Sequence, residues 1–128
     1  MTVNQTEKAL RFQELHQRPG AFLLPNPWDI GSARILTGLG FEALATSSRA
    51  SAAVRGRRDG RLTREEALEH ARAIAGATEL PVAADLEDGF GDEPATVAET
   101  IRLAADVGVV GGSIEDATKD KDTREVTA

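Results

Sequence analysis

The segment Ala83-Ala84-Asp85-Leu86-Glu87-Asp88-Gly89-Phe90-Gly91 places acid directly after a short apolar run. If that run is a strand, alternation turns Asp85 and Glu87 to one side and Leu86 to the other. A second apolar run, Val109 to Ile114, ends in Glu115 and Asp116. Glu115 on a neighbouring strand end would bring a third carboxylate to the same place. Clustered carboxylates repel one another, which is costly unless a cation lies among them. A set of oxygen ligands without His or Cys suits a hard ion, Mg2+ or Mn2+, better than zinc. The competing reading is that acids after strands cap the next helix or face water. It is preferred for Asp88 and Asp92, and Asp116 reads as structural. For Asp85, Glu87 and Glu115 together, metal binding is the expectation.

Other candidates carry weaker signals. Ser47-Ser48 follows the apolar run Ala43 to Thr46 and could offer N–H and hydroxyl groups to a carboxylate or enolate oxygen. The same pair is equally at home in an ordinary turn. Asp29 is either a substrate neighbour or the N-cap of the helix that begins at Ile30, and its spacing favours the cap. Arg49, Arg55, Arg57, Arg58, Arg61 and Arg64 make one stretch basic. They either attract an anion over the site or pair with surface acids, the second being the commoner arrangement. His16 and His70 sit among charged neighbours without a partner histidine at ligand spacing, and both are expected at the surface. There is no cysteine nucleophile, no GxSxG elbow and no phosphate-binding P-loop.

The elements that must position these residues alternate along the chain. Apolar spacing predicts a leading helix over residues 6–17, stopped by Arg18-Pro19-Gly20. A strand is expected over Ala21 to Leu24, a helix over Ile30 to Leu39, a strand over Ala43 to Thr46, and then loop or irregular helix from Arg49 to Arg61. Thr63-Arg64-Glu65-Glu66 reads as a capping box that opens a helix running to about Thr78. Strands over Pro81 to Ala84 and Val109 to Ile114 flank a helix that Pro94 begins and Gly108 ends. Strands separated by helices mean a parallel sheet, because a parallel strand needs a crossover. All four strands end in polar or acidic residues, and in parallel α/β folds that edge binds ligands.

With 128 residues and 41% hydrophobic content the chain can bury a core without disulfide or metal staples. Its 21 Asp+Glu against 15 Lys+Arg, a formal charge of −6, argue against nucleic acid as a partner. No apolar run approaches the roughly 18 residues of a membrane span, and the start lacks a signal-peptide block. A cytoplasmic location is expected. Residues 118–128, TKDKDTREVTA, hold one large apolar residue and are expected to be a disordered or frayed tail after a domain at 1–117.

The succession LLPNPWDIGSARIL, GFEALATSS, GRRDGRLTREEALEHARAI, LPVAADLEDGFGD and IEDAT resembles the isocitrate lyase and phosphoenolpyruvate mutase superfamily, in order from about Phe12 to Thr118. The resemblance implies a parallel (β/α) half-barrel, the first four strands of a TIM-type (β/α)8 barrel with a leading helix. It implies chemistry on a small 2-oxo acid or related carboxylate through an enolate stabilised by Mg2+, and a homo-oligomer. By the same resemblance Asp85 is a direct metal ligand, and Glu87 and Glu115 hold the ion through water. Asp59 is an acidic loop residue near it, and Ser47 and Ser48 bind the substrate carboxylate or oxyanion. Asp29 takes the place of a polar substrate neighbour.

This sequence also departs from the pattern. The lyase branch carries a Lys-Lys-Cys-Gly-His type loop after the fourth strand, whereas this chain continues as TKDKD without cysteine. Glu87 is a methylene longer than the aspartate usual there, and Arg58 stands where a proline is common. A barrel of this type takes about 250 residues. Two functional classes are therefore carried forward: a lyase, mutase or hydrolase, and a half-barrel without turnover of its own that self-associates or binds carboxylates.

Overall fold

The computed structural model describes residues 2–117. The chain runs α1 (Gln5–Gln17), α2 (Ile30–Gly38), β1 (Leu44–Ala45), α3 (Ser48–Ala53), α4 (Arg64–Gly76), β2 (Val82–Asp85), α5 (Pro94–Asp106) and β3 (Gly111–Ser113). The strands form a parallel three-stranded sheet in the order β1-β2-β3, with Leu44 opposite Val82 and Ala83 opposite Gly111. Each return to the sheet passes through helix, as parallel pairing requires.

Local chemistry explains the helix boundaries. Asn4 and Glu7 form a reciprocal capping box at the start of α1, a signal that lies ahead of the apolar periodicity. Thr63 accepts from the Glu66 amide and starts α4 as expected. Pro94 occupies the first turn of α5, where its missing N–H costs nothing, and Glu93 gives no side-chain cap. Gly108, with φ of 103°, ends the turn that follows.

The core lies where α4 meets β2, with α2 and α5 on either side. Leu68, Ala71, Ile74 and Ala75 of α4 pack with Leu44, Val82, Ala84 and Leu86, and Ala33, Ala104 and Val109 complete the cluster. Ile74 and Val82 are fully buried, and each such side chain contributes about 1.5–3 kcal/mol.

Three expectations are corrected. The segment Ala21 to Leu24 is not a strand, so the described residues hold three strands of the four expected. The stretch after it does approach β1: Ala45 N–H donates to the Pro25 carbonyl at 3.0 Å, and Asn26 Nδ2 donates to the Ala45 carbonyl at 3.0 Å. Pro25 and Pro27 have no N–H to return, so no ladder can extend. His70 is buried rather than superficial, at 8% exposure. It sits among the buried residues of α4 with Leu68, Ala71 and Ile74. The third correction concerns Glu87 and belongs to the site. The expected tail at 118–128 lies outside the described residues.

Among the described residues no helix is long and apolar enough to cross a membrane. Leading helix α1 bridges the far ends of two other helices. Lys8 Nζ donates to the carbonyls of Ala75 (3.1 Å) and Thr78 (2.8 Å), at the C-terminal end of α4. Gln5 Nε2 donates to the carbonyls of Ala105 (2.7 Å) and Val109 (3.0 Å), at the C-terminal end of α5. Carbonyls at a helix C-terminus lack the N–H groups of a next turn; the Gly108 N–H also reaches the Ala105 carbonyl at 3.1 Å, and a cation there complements the helix dipole. Burial lowers the Lys8 ammonium pKa, partly countered by Glu79.

Candidate active site

Asp85 is the last residue of β2, at the C-terminal edge of the sheet. Its Oδ2 accepts the Ser48 N–H at 2.9 Å, and its Oδ1 accepts the Glu87 N–H at 3.0 Å. Its own N–H donates to Thr46 Oγ1 at 3.1 Å. The carboxylate is thus fixed from β1's exit on one side and from its own loop on the other. Thr46, which the sequence did not single out, is buried and serves this anchoring.

Glu87 is 3% exposed and lies close to Asp85, but strand alternation does not put it there. The strand ends at Asp85, and Glu87 adopts a left-handed conformation with φ of 53°. Phe90 is also left-handed, with φ of 63°. Such backbone in non-glycine residues costs on the order of 1–3 kcal/mol and persists only where surrounding contacts impose it. Leu86 turns into the core as expected. Its carbonyl accepts the Gly89 N–H at 2.8 Å and closes a turn around Glu87, and Asp88 Oδ1 accepts the Phe90 N–H at 2.9 Å. Asp88 therefore braces its own loop and does not cap the next helix, whose N-cap is Glu93.

Glu115 follows β3, and its N–H donates to the Glu87 carbonyl at 2.7 Å. Main-chain hydrogen bonds therefore gather Asp85, Glu87 and Glu115 on adjoining strand exits. Ser48 joins them through its amide. Ser47 is the N-cap of α3: its Oγ accepts the Ala50 N–H at 3.3 Å and its carbonyl accepts from Ser51 Oγ at 2.9 Å.

The remaining candidates fall elsewhere or into structural work. Asp29 caps α2, exchanging hydrogen bonds with Ser32, whose N–H and hydroxyl hold the Asp29 carboxyl below its ordinary range. No described hydrogen bond joins it to Asp85. Asp59 lies half-buried in the turns between α3 and α4, with its Oδ1 buried and accepting no hydrogen bond from the protein. Arg55 and Arg57 pair with Glu66, and Arg64 pairs with Glu65, so these three arginines follow the surface-pairing reading.

The acids suit a hard cation in one respect and not in another. Among the described residues, no three His, Cys, Asp or Glu side chains are grouped to hold an ion between them. A cage of three direct carboxylate ligands is thus not formed. Mg2+ retains several of its waters and is bound through one or two carboxylates, and an all-oxygen set with one fixed carboxylate beside other acids fits that habit.

Residues 12–128 match the phosphoenolpyruvate phosphomutase family. A 2-methylisocitrate lyase of Halalkalibacterium halodurans is 34% identical over 114 residues, which are 88% of this chain and 38% of that protein. Among solved structures, a Burkholderia cenocepacia J2315 protein described provisionally as a lyase/mutase is 56% identical with a TM-score of 0.91. The match covers 97% of this chain and 44% of that one. A 2,3-dimethylmalate lyase of the same superfamily is 30% identical with a TM-score of 0.82, over 94% of this chain and 43% of that one. The chain thus spans less than half the length of these relatives.

Proposed function

The chain belongs to the phosphoenolpyruvate phosphomutase family, and from that premise we propose that it carries the metal and substrate-anion half of a lyase, mutase or hydrolase site for small 2-oxo acids or related carboxylates. The observation that carries this reading is the fixed Asp85 carboxylate, held by the Ser48 and Glu87 amides with Glu115 tied to the Glu87 carbonyl. Asp85 would hold Mg2+ or Mn2+, with Glu87 and Glu115 as the neighbouring acids. Such an ion, when bound, supplies Lewis-acid polarisation of substrate oxo and carboxylate oxygens. Ser47 and Ser48 take the anionic end of the substrate, Ser48 through its hydroxyl because its amide is already engaged by Asp85. Asp59 acts as an acid or base above the site, and Asp29 is reduced to a supporting cap. Calorimetric titration of Mg2+ against wild type and Asp85→Ala tests the reading. Binding by wild type alone supports it, and equal binding by both removes the metal assignment.

One observation favours a second reading of the same residues. Among the described residues no strand pairs with the outer edge of β3, and Ile101 (51%) and Ile114 (39%) are exposed. In this reading residues 1–128 bind ion and carboxylate, while turnover needs further β/α units, and the chain associates with itself or with such units. Sedimentation alongside an assay for 2-oxo acid cleavage separates the two. A monomer with robust turnover excludes the second.

A further inference from the structure

The turn that carries Glu87 is shaped from outside by the first turns of α5. Thr100 has no exposed surface, and its Oγ1 donates to the Gly89 carbonyl at 2.7 Å, sharing its proton with the Thr96 carbonyl at 3.1 Å. Arg64 of α4 reaches the same hydroxyl at 3.5 Å. A Cβ on Gly89 would lie 2.8 Å from Val97 Cγ2, and one on Gly91 would lie 2.5 Å from Thr96 Cγ2. The loop is therefore pressed against Thr96, Val97 and Thr100, three residues on one side of the helix. A buried threonine hydroxyl can satisfy itself on its own helix through the carbonyl four residues back. Here the shorter bond goes to the loop instead.

We propose that Thr100 is a positioning residue for the acidic loop: its hydroxyl pins the Gly89 carbonyl and so holds Glu87 in its left-handed turn beside Asp85. Gly89 closes that turn through its N–H to Leu86, while the Glu87 carbonyl receives the Glu115 N–H. Releasing Gly89 loosens both bonds and lets the acids of two strand exits drift apart. The consequence for metal binding rests on the function proposed above, whereas the effect on the loop does not.

The test uses the full chain with Thr100→Val, which keeps the shape and removes the donor, and Thr100→Ser, which keeps the donor. Amide hydrogen exchange is followed at Gly89 and Glu115, with Val110, whose N–H bonds to the Val82 carbonyl, as a core reference. Without added metal, Thr100→Val is expected to speed exchange at Gly89 and Glu115 at least tenfold and to leave Val110 unchanged. Thr100→Ser is expected to stay within threefold of wild type. Mn2+ affinity, titrated in parallel, is expected to fall about tenfold in the valine variant only. Unchanged loop exchange in Thr100→Val, or equal acceleration at Val110, overturns the proposal. If the valine variant does not fold, the serine variant decides, and loss of loop protection there assigns the effect to the methyl group and overturns the role of the hydroxyl. If wild type binds no Mn2+ while the exchange pattern holds, the metal reading fails and the positioning role stands.

Discussion

The two ends of the sheet are built on opposite terms. Where helices α4 and α5 finish and the following strands begin, Lys8 and Gln5 of α1 donate to four main-chain carbonyls, those of Ala75, Thr78, Ala105 and Val109. Where the strands finish, the backbones of Glu87 and Glu115 are hydrogen-bonded to Asp85 and Glu87 in turn, and Glu87 and Phe90 hold left-handed backbone. One end satisfies polar groups and adds stability. The other holds backbone strain that only surrounding contacts can maintain.

That contrast can be broken most sharply at Asp85. Asp85→Ala is expected to weaken Mg2+ binding at least 100-fold, read by calorimetry, and a loss below tenfold would mean the rim is not organised around this carboxylate. Next in size, Lys8→Met keeps the apolar stem but removes two charge-assisted hydrogen bonds. It is expected to lower stability by about 2–3 kcal/mol in urea denaturation while leaving metal affinity unchanged. A shift in metal affinity as large as the shift in stability would show that the two ends are not separate.

Glu87→Gly sharpens the comparison in the reverse direction. Glycine adopts φ of 53° without a Cβ penalty, which offsets the loss of the buried side chain, so the variant is expected to stay within about 1 kcal/mol of wild-type stability while losing metal affinity. A variant destabilised beyond that would mean that the Glu87 side chain is held by favourable contacts that outweigh the backbone strain. The smallest effect concerns His70, which belongs to neither end. Burial first, then the positive charge of Arg55, lowers its pKa from 6.5, against the pull of Asp29. Below pH 6.5 the unfolded chain takes up the proton before the folded chain does, so stability should fall as pH falls through this window until the folded form also titrates. His70→Gln should flatten that slope in denaturation curves recorded from pH 7 to 5, and an unchanged slope would assign it to other groups.

Much of this was legible from local sequence. Thr63 and Pro94 begin their helices where capping chemistry says they should, and Asp29 is the N-cap its spacing favoured. The apolar face of α4 was readable from Leu68, Ala71, Ile74 and Ala75. The segment before Pro25 misled, since a short apolar run has the composition of a strand but the prolines after it cannot join a ladder. Lys8 and Gln5 left no signal, because a polar residue on a helix looks solvated until a distant carbonyl is brought to it. His70 failed for the converse reason: its neighbours in sequence are charged, but it is buried on α4 with Leu68, Ala71 and Ile74.

The order of acidic motifs and breakers alone determined the alternating α/β organisation, the family and the residues worth testing, because those depend on residue type and spacing within a few positions. Tertiary structure decided how the acids meet. Strand alternation would have aligned Glu87 with Asp85 through an extended backbone, yet the strand stops at Asp85, and a left-handed turn packed against α5 brings Glu87 back beside it. Local sequence sets which conformations are cheap. Only contacts between residues far apart in the chain, such as Thr100 with Gly89, can hold one that is not.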